Sequence, residues 1–198
     1  MIAAVGELAR TRESFQALAR SQLPRLLALA RSLTRHDPED LVQEALLRGY
    51  KAYATLEADE AGGRWLRTIL VNTHRDQLRK RARSFEELPV ADPDDFSLYR
   101  TIADEDPFPY SDTLHLDFLR AFAREDVREV LLRLPEIYRT PLVLFHMEGF
   151  ATKEIARLCE APLGTVLARL HRARKAFERE MWTYAEETGL LAQRRPHE

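Results

Sequence analysis

The sequence predicts an all-α protein with two helical domains joined by an acidic linker. Glycine is scarce, with 7 in 198 residues, whereas Leu, Ala, Arg and Glu are abundant. Apolar residues, 45% of the chain, recur at helical spacing in most segments, and no run alternates β-branched with polar residues. Charge is segregated along the chain, which divides the helical segments into two groups.

The formal net charge of −2 conceals this segregation. From Ser84 to Phe118 the net charge is −9, with Arg100 as the only Arg or Lys, so the rest of the chain carries +7. Prolines at positions 89, 93, 107 and 109 argue against regular structure in most of the acidic segment. Its scattered apolar residues would allow it to dock on a partner, although a repulsive, solvated spacer is the alternative. We therefore expect domains at 12–83 and 116–186, with a linker at 84–115.

The first domain is predicted to begin with a helix near Arg12, after frayed residues 1–11, and Pro24 marks a second helix start. Asp37 and Pro38 then predict a strong start for a helix running to about Leu56, with Asp37 as the cap. Its apolar side supplies core residues. The side left toward solvent carries Asp40, Gln43, Glu44, Leu47 and Arg48, which form either a partner surface or an ordinary solvated face.

A helix from about Arg64 to Arg83 follows a loop at 57–63, and it is strongly basic. Asn72 lies in its middle, and Asp76 is its one acid. Such an excess of positive charge suits contact with a nucleic-acid backbone. The alternative is a basic helix end that complements its own dipole, which leaves Arg64 and Arg67 unexplained. The cations are Arg64, Arg67, Arg75, Arg79, Lys80, Arg81 and Arg83.

The second domain is predicted to start near Leu116 and to end in a helix-turn-helix between Gly149 and Phe177. A Thr152 hydroxyl could cap the first of its two helices. Pro162 breaks that helix, and a second one starts near Leu163 and extends to about Tyr184. The second helix buries Val166, Leu170, Ala173 and Phe177 and carries cations on its other faces, as a recognition helix in the major groove does. An ordinary helical hairpin with a basic face is the alternative.

Together these segments resemble an extracytoplasmic-function sigma factor of bacterial RNA polymerase, over about residues 12–185. The resemblance rests on four blocks in the family order: DPEDLVQEALLRGYKAY, WLRTILVNTHRDQLRKRAR, LRLPEIYRTPLVLFHMEGF and TKEIARLCEAPLGTVLARLHRARKAF. Two details, NTHRDQLRKRAR and the late WTYAEETGLL, look most like the oxidative-stress branch of the family.

The resemblance implies a role for each polar face. Core polymerase contacts, on the clamp helices of the largest subunit, are implied for Asp40, Gln43, Glu44, Leu47 and Arg48. Contacts to the −10 element are implied for Asn72, Arg75, Arg79 and Lys80, with the loop at 56–63 helping to form a pocket for a flipped base. Contacts to the −35 element are implied for Thr165, Ala168, Arg169, His171, Arg172 and Arg174. Further implied partners are the flap of the second-largest subunit and an anti-sigma factor.

Three positions depart from the family pattern. Leu167 stands where Lys or Arg is frequent, Ala168 where Ser is frequent, and Glu160 where a turn Gly is frequent. The first two changes remove polar groups from the recognition helix. We therefore expect an unusual −35 sequence, or one read more by DNA shape.

Other function classes find little support in the sequence. The six histidines show no paired ligand spacing, the single Cys159 offers no cysteine-based metal site, and no phosphate loop or nucleophile elbow occurs. We therefore expect neither an enzyme nor a metal or other cofactor. Without a signal peptide or a membrane-length apolar run, a cytoplasmic location is expected. A stand-alone helix-turn-helix regulator is the main rival hypothesis, but it leaves residues 37–83 without a role.

Overall fold

The computed structural model describes residues 2–56, 62–84 and 122–190. Over these ranges the chain forms seven α-helices and no strand, which confirms the all-α prediction. The helices divide into two compact units, one in each half of the chain. Residues 85–115 of the predicted linker, the loop residues 57–61, the predicted helix start at 116–121 and the tail from 191 lie outside the described residues.

The first unit is a three-helix assembly of α1 (Ile2–Leu33), α2 (Pro38–Ala52) and α3 (Gly62–Ser84), with a 3-10 turn at Tyr53–Thr55. Phe15 packs its ring against Tyr50 and Tyr53, at centroid distances of 5.4 and 5.3 Å. Burial of the apolar stripes of all three helices supplies the main stabilisation. The fully buried residues include Leu26, Leu29, Leu33, Leu41, Val42, Leu66, Leu70 and Val71.

Two local predictions for this unit are wrong. The helix α1 is continuous from Ile2 and passes through Pro24, because apolar residues on both sides of the proline, Phe15 and Leu26, pack into one core. Asp37 occupies the N-cap position of α2 but makes no side-chain cap, because its backbone is left-handed, with φ 44°, instead of extended. Pro38 stands at the helix start as expected, and the Leu41 N–H donates to the Asp37 carbonyl at 3.0 Å.

The second unit contains α4 (Arg124–Arg133), α5 (Glu136–His146), α6 (Thr152–Leu158) and α7 (Leu163–Glu187). Polar contacts tie the end of α7 to α4: the Tyr184 hydroxyl donates to Asp126 at 2.7 Å, and Arg133 pairs with Glu187 at 2.8 Å. These contacts fix the C-terminal end of α7, the longest helix of this unit. The buried core includes Val130, Leu131, Leu144, Ile155, Val166, Leu170, Ala173 and Met181.

The helix-turn-helix geometry follows the sequence closely, apart from one cap. Ala151 is the N-cap of α6, and its N–H donates to the Glu154 carboxylate at 2.8 Å, so Thr152 is the first helical residue and not the cap. The second helix starts at Leu163 after Pro162, as predicted. Glu160 lies in the turn between the two helices with φ 48°, in the left-handed region that normally favours glycine.

In the part of the chain covered by the three described ranges, none of the helices has both the length and the apolar character needed to span a bilayer.

Candidate nucleic-acid interfaces

The outward face of α3 carries the predicted −10 residues together. Asn72, Arg75 and Arg79 follow one another at spacings of three and four residues, which places them on one side of the helix. Asn72 and Arg75 are half-buried, whereas Arg79 and Lys80 are exposed. The opposite side is the core stripe, where Leu66, Leu70 and His74 are buried. The residues form a cationic strip with one amide in it, which can neutralise phosphates and donate hydrogen bonds to a base.

One cation of this helix does not belong to the strip. Arg67 is only 8% exposed and lies on the core side, next to Leu70 and His74 in the helical pattern. The interpretation of Arg67 as one of the basic residues that a nucleic acid would explain is therefore wrong, because its side chain is buried. Its position three residues before Leu70 and seven before His74, which are both buried, was the signal that it lies on the core face.

The five predicted polymerase-contact residues of α2 fall into two groups. Asp40, Gln43 and Leu47 are exposed, and Leu47 shows 63% of its surface. Glu44 and Arg48 instead face α3. Arg48 donates from Nη1 to Asp76 Oδ2 and from Nη2 to Glu44 Oε1, both at 2.6 Å. The sequence did not reveal this pairing, because helical spacing gives a face but not the partner helix.

These contacts shift the ionisation of the groups involved. The hydrogen bond from Gln77 lowers the pKa of Glu44, with further help from Arg48. The hydrogen bond from Arg48 lowers the pKa of Asp76, and the hydrogen bond to Asp76 raises the pKa of Arg48. Glu44, Asp76 and Arg48 therefore stay charged at neutral pH.

A groove of about 290 Å³ runs between α1 and α2. Its lining is predominantly apolar. The groove and the exposed Leu47 supply apolar surface, and Asp40 and Gln43 supply polar surface, which are the two components of a non-obligate protein interface. The groove is lined by Phe15, Gln16, Ala19, Arg20, Leu23 and Leu46.

In the second unit, α7 presents the predicted −35 residues in two orientations. Its core stripe buries Val166, Leu170 and Ala173. Ala168 and Arg172 lie on the opposite side of the helix, where they are half-buried. Thr165, Arg169 and His171 flank that side and are half-buried.

Arg174 is turned toward α5 instead. Its Nε donates to His146 Nε2 at 3.3 Å, and its guanidinium lies 5.8 Å from the centre of the Phe145 ring. Burial, and next the positive charge of Arg174, lower the pKa of His146. An arginine in this position supports the helix packing, and a phosphate contact by it would have to compete with His146.

Two cations on the outward side were not among the predicted site residues. Lys175 and Arg179 are exposed and continue the line of Ala168 and Arg172 at spacings of three and four residues. That spacing was the signal available in the sequence. The side next to this line carries two partly exposed leucines, Leu163 and Leu167, at 37% and 38%.

Comparison with protein-family models gives two matches in chain order. The family described as Sigma-70 region 2 matches residues 18–84, and the family described as Sigma-70, region 4 matches residues 124–177. The first match contains α2 and α3 with the cationic strip. The second contains α4 to α6 and the first part of α7, which includes every predicted −35 residue.

Curated proteins similar to this chain over most of its length are named as ECF RNA polymerase sigma factors. The ECF RNA polymerase sigma factor EcfG of Rhodopseudomonas palustris is 34% identical over 157 residues, which cover 77% of this chain and 76% of the relative. The ECF RNA polymerase sigma factor SigM of Mycobacterium tuberculosis is 31% identical over 175 residues, covering 87% and 79%.

A solved structure is similar over most of the chain as well. It is the sigma factor RpoE of Bartonella quintana, crystallised in complex with the anti-sigma factor NepR. It matches with a TM-score of 0.57 and 26% identity, over 84% of this chain and 96% of that one.

Proposed function

The chain belongs to the extracytoplasmic-function RNA polymerase sigma factors, and we propose that the polar faces of α2, α3 and α7 carry its contacts. A sigma factor of this family binds core RNA polymerase and directs it to promoter DNA; it is an initiation factor and not an enzyme. One observation carries this assignment of surfaces. Each of the two stretches that match a sigma-70 region contains a helix with a cationic face.

We assign the −10 element to α3. Arg75, Arg79 and Lys80 bind phosphates of the promoter strand, and Asn72 lies beside a base flipped out of the stack. Extruding a base costs a few kcal/mol, which phosphate neutralisation and pocket contacts offset. The half-buried Asn72 beside exposed cations supports this division of work, since an amide that reads a base needs a defined position.

We assign the −35 element to the outward line of α7. Arg172 suits a guanine edge, and Lys175 and Arg179 extend the contact along the phosphates. Thr165, Arg169 and His171 flank the groove-facing line, and Ala168 offers only its methyl group. Arg174 contributes less than the family resemblance implies, because it is already engaged with His146.

We assign core polymerase to the exposed part of α2. Asp40, Gln43 and Leu47 contact the clamp helices of the largest subunit, with the apolar groove beside them. The second unit contacts the flap of the second-largest subunit. An interface of this kind needs an apolar centre, which Leu47 and the groove supply, and a polar rim.

The remaining expectations are also proposals. The domain limits are 12–83 and 116–186, and the acidic linker at 84–115 enters basic channels of the polymerase that later hold RNA. The protein works in the cytoplasm, where the polymerase is. The complex of the similar RpoE with NepR supports control by an anti-sigma factor here as well. Membership of the oxidative-stress branch remains a prediction from the sequence.

Run-off transcription tests the function directly. Purified protein and core polymerase are incubated with promoter fragments that the holoenzyme has selected from a randomised library. Transcript is expected only when both proteins are present. The rival hypothesis, a stand-alone regulator, predicts instead that the protein alone binds the selected DNA tightly and that core polymerase adds nothing.

A further inference from the structure

The first two turns of α7 carry no charged side chain, in contrast to the turns that follow. Residues 163–168 read LGTVLA, whereas residues 169–175 read RLHRARK and contain four Arg or Lys residues. Within the first stretch, Leu163 is 37% exposed and Leu167 is 38% exposed. The two side chains are neighbours on the helix surface, because they are four residues apart. We call Leu163 and Leu167 the apolar patch of α7.

The apolar patch lies where a recognition helix reads bases. Such a helix enters the major groove with its N-terminal residues toward the base edges. The exposed cations Lys175 and Arg179 follow later in the same helix and are proposed to contact phosphates. Phosphate contacts position a protein on DNA but specify no base. A base preference can therefore come from the first two turns, where the exposed side chains are apolar.

Leu167 is the member of the patch that lies closer to the predicted −35 residues. It directly precedes Ala168 and stands four residues before His171. Leu163 is the first residue of the helix and lies one turn earlier. A base contact by the patch is therefore assigned to Leu167, with Leu163 extending its apolar surface.

An aliphatic side chain in the major groove can favour only one of the four bases. Thymine presents its 5-methyl group there, whereas the edges of the other bases present hydrogen-bond donors and acceptors. A leucine against those polar groups would displace their water without replacing the hydrogen bonds, which is unfavourable. Against a thymine methyl group it buries apolar surface on both partners.

We propose that Leu167 is a specificity-determining residue of the −35 contact and selects thymine through its 5-methyl group. The inference rests on the proposed −35 face of α7 and names a base that this face takes. It gives the uncharged position, where the family pattern has Lys or Arg, a direct contact with a base. Recognition of DNA shape alone would not require that contact.

The experiment removes single methyl groups from the DNA. Holoenzyme reconstituted from the full-length protein and core polymerase selects promoter fragments as above, and each thymine of the selected −35 element is replaced in turn by uracil. Uracil keeps the hydrogen-bonding groups of thymine and lacks only the 5-methyl group. At one position the uracil fragment is expected to bind wild-type holoenzyme about fourfold more weakly, the equivalent of one buried methyl group. With Leu167→Ala the same replacement should change the affinity by less than about twofold, since the methyl group has lost its partner.

The matched control is Ile137→Ala, because Ile137 is a similarly exposed aliphatic residue, at 43%, on α5 of the same unit. This variant should keep the full uracil penalty. Leu167→Lys should lose the penalty and select fewer thymines from the library. The salt dependence of promoter binding should be the same in Leu167→Ala as in wild type, because no phosphate contact is removed. Thermal melting of each variant identifies any loss of fold.

The proposal is overturned if the selected −35 element contains no thymine, or if no uracil replacement weakens the binding of wild-type holoenzyme. An equal uracil penalty in wild type and Leu167→Ala would show that the leucine does not contact the methyl group. A loss of affinity for core polymerase of about fivefold or more in Leu167→Ala would assign the leucine to the polymerase instead. If wild-type holoenzyme enriches no promoter at all, the proposed function fails, together with the inference that rests on it.

Discussion

At the scale of single residues, Glu160 adopts a left-handed backbone conformation that is unfavourable for a residue with a side chain. Its φ of 48° puts the Cβ close to a carbonyl oxygen, at a cost of about 1 kcal/mol that glycine avoids. Glu160→Gly is therefore expected to raise the Tm of the second unit by roughly 4–8 °C, the usual equivalent of 1 kcal/mol in a small domain. Thermal unfolding followed by circular dichroism measures it.

The matched control at this position is Glu160→Ala, which removes the same carboxylate but keeps the Cβ. It is expected to leave the Tm close to that of wild type. An equal rise for alanine and glycine would show that loss of the charge, and not relief of the backbone, is responsible.

Arg172 is the residue on which the −35 assignment depends most. It lies on the side of α7 opposite the core, and a guanidinium that donates two hydrogen bonds to a guanine edge contributes about 1–3 kcal/mol of discrimination. Arg172→Ala is expected to reduce run-off transcription about tenfold from promoters with the selected −35 element. The reduction should be smaller on templates whose −35 element has been scrambled.

Arg124→Ala is the control for that substitution, because Arg124 is an exposed cation of the same unit on α4, away from the outward line of α7. It should leave transcription from the selected promoter within twofold of wild type. Promoter output that Arg172→Ala leaves intact would move the groove contact to another face.

At the scale of elements, the positions of the helices could be predicted well, whereas the contacts between helices could be predicted only partly. The second helix of the helix-turn-helix starts at Leu163 as predicted, because Pro162 restricts the backbone before it. The preceding segment ends at Gly149, whose positive φ glycine permits. Pro24 was misjudged because packing on both sides of a proline outweighs its local cost.

The candidate site was predictable to a similar extent. Helical spacing places Asn72, Arg75 and Arg79 on one face, since that depends only on the period of the helix. It did not predict that Arg48 reaches Asp76 or that Arg174 reaches His146. Those contacts depend on which helix lies opposite and at what angle, and no local pattern encodes either quantity.

The contact between α5 and α7 is expected to make the second unit sensitive to acid. His146 accepts from Arg174 only as a neutral imidazole, and burial together with the nearby guanidinium lowers its pKa. The unfolded chain therefore binds this proton more readily than the folded unit. The stability that the contact contributes is present above the ordinary histidine pKa and is lost as pH falls through that value toward the lower, folded one.

We expect the Tm of wild type to fall more steeply between about pH 7 and about pH 5 than that of His146→Gln, whose amide oxygen can accept from Arg174 at either pH. Thermal melts at several pH values compare the two slopes. His36→Gln, which removes an exposed histidine of the first unit, is the control and should follow wild type. Parallel curves for wild type and His146→Gln would exclude the contact as the source of the acid sensitivity.

At the scale of the whole molecule, the two faces proposed to contact DNA are expected to act only after the protein has bound core polymerase. Neither unit needs to hold promoter DNA tightly alone, because the polymerase supplies the remaining contacts. Loss of a polymerase contact and loss of a DNA contact therefore have different signatures. The first can be overcome by raising the concentration of the sigma factor, since mass action restores holoenzyme. The second cannot, because the holoenzyme that forms is itself defective.

Leu47 tests this distinction. Its side chain is 63% exposed, so Leu47→Asp is expected to leave the Tm unchanged while placing a charge in the apolar centre of the proposed polymerase interface. The affinity for core polymerase should fall at least tenfold, about 1.4 kcal/mol, in a titration with labelled protein.

Transcription by the Leu47→Asp variant should fall at limiting concentration and recover when the variant is in excess. Transcription by Arg172→Ala should stay impaired at every concentration. Unaltered assembly of Leu47→Asp with core polymerase would place the interface on another face of the first unit.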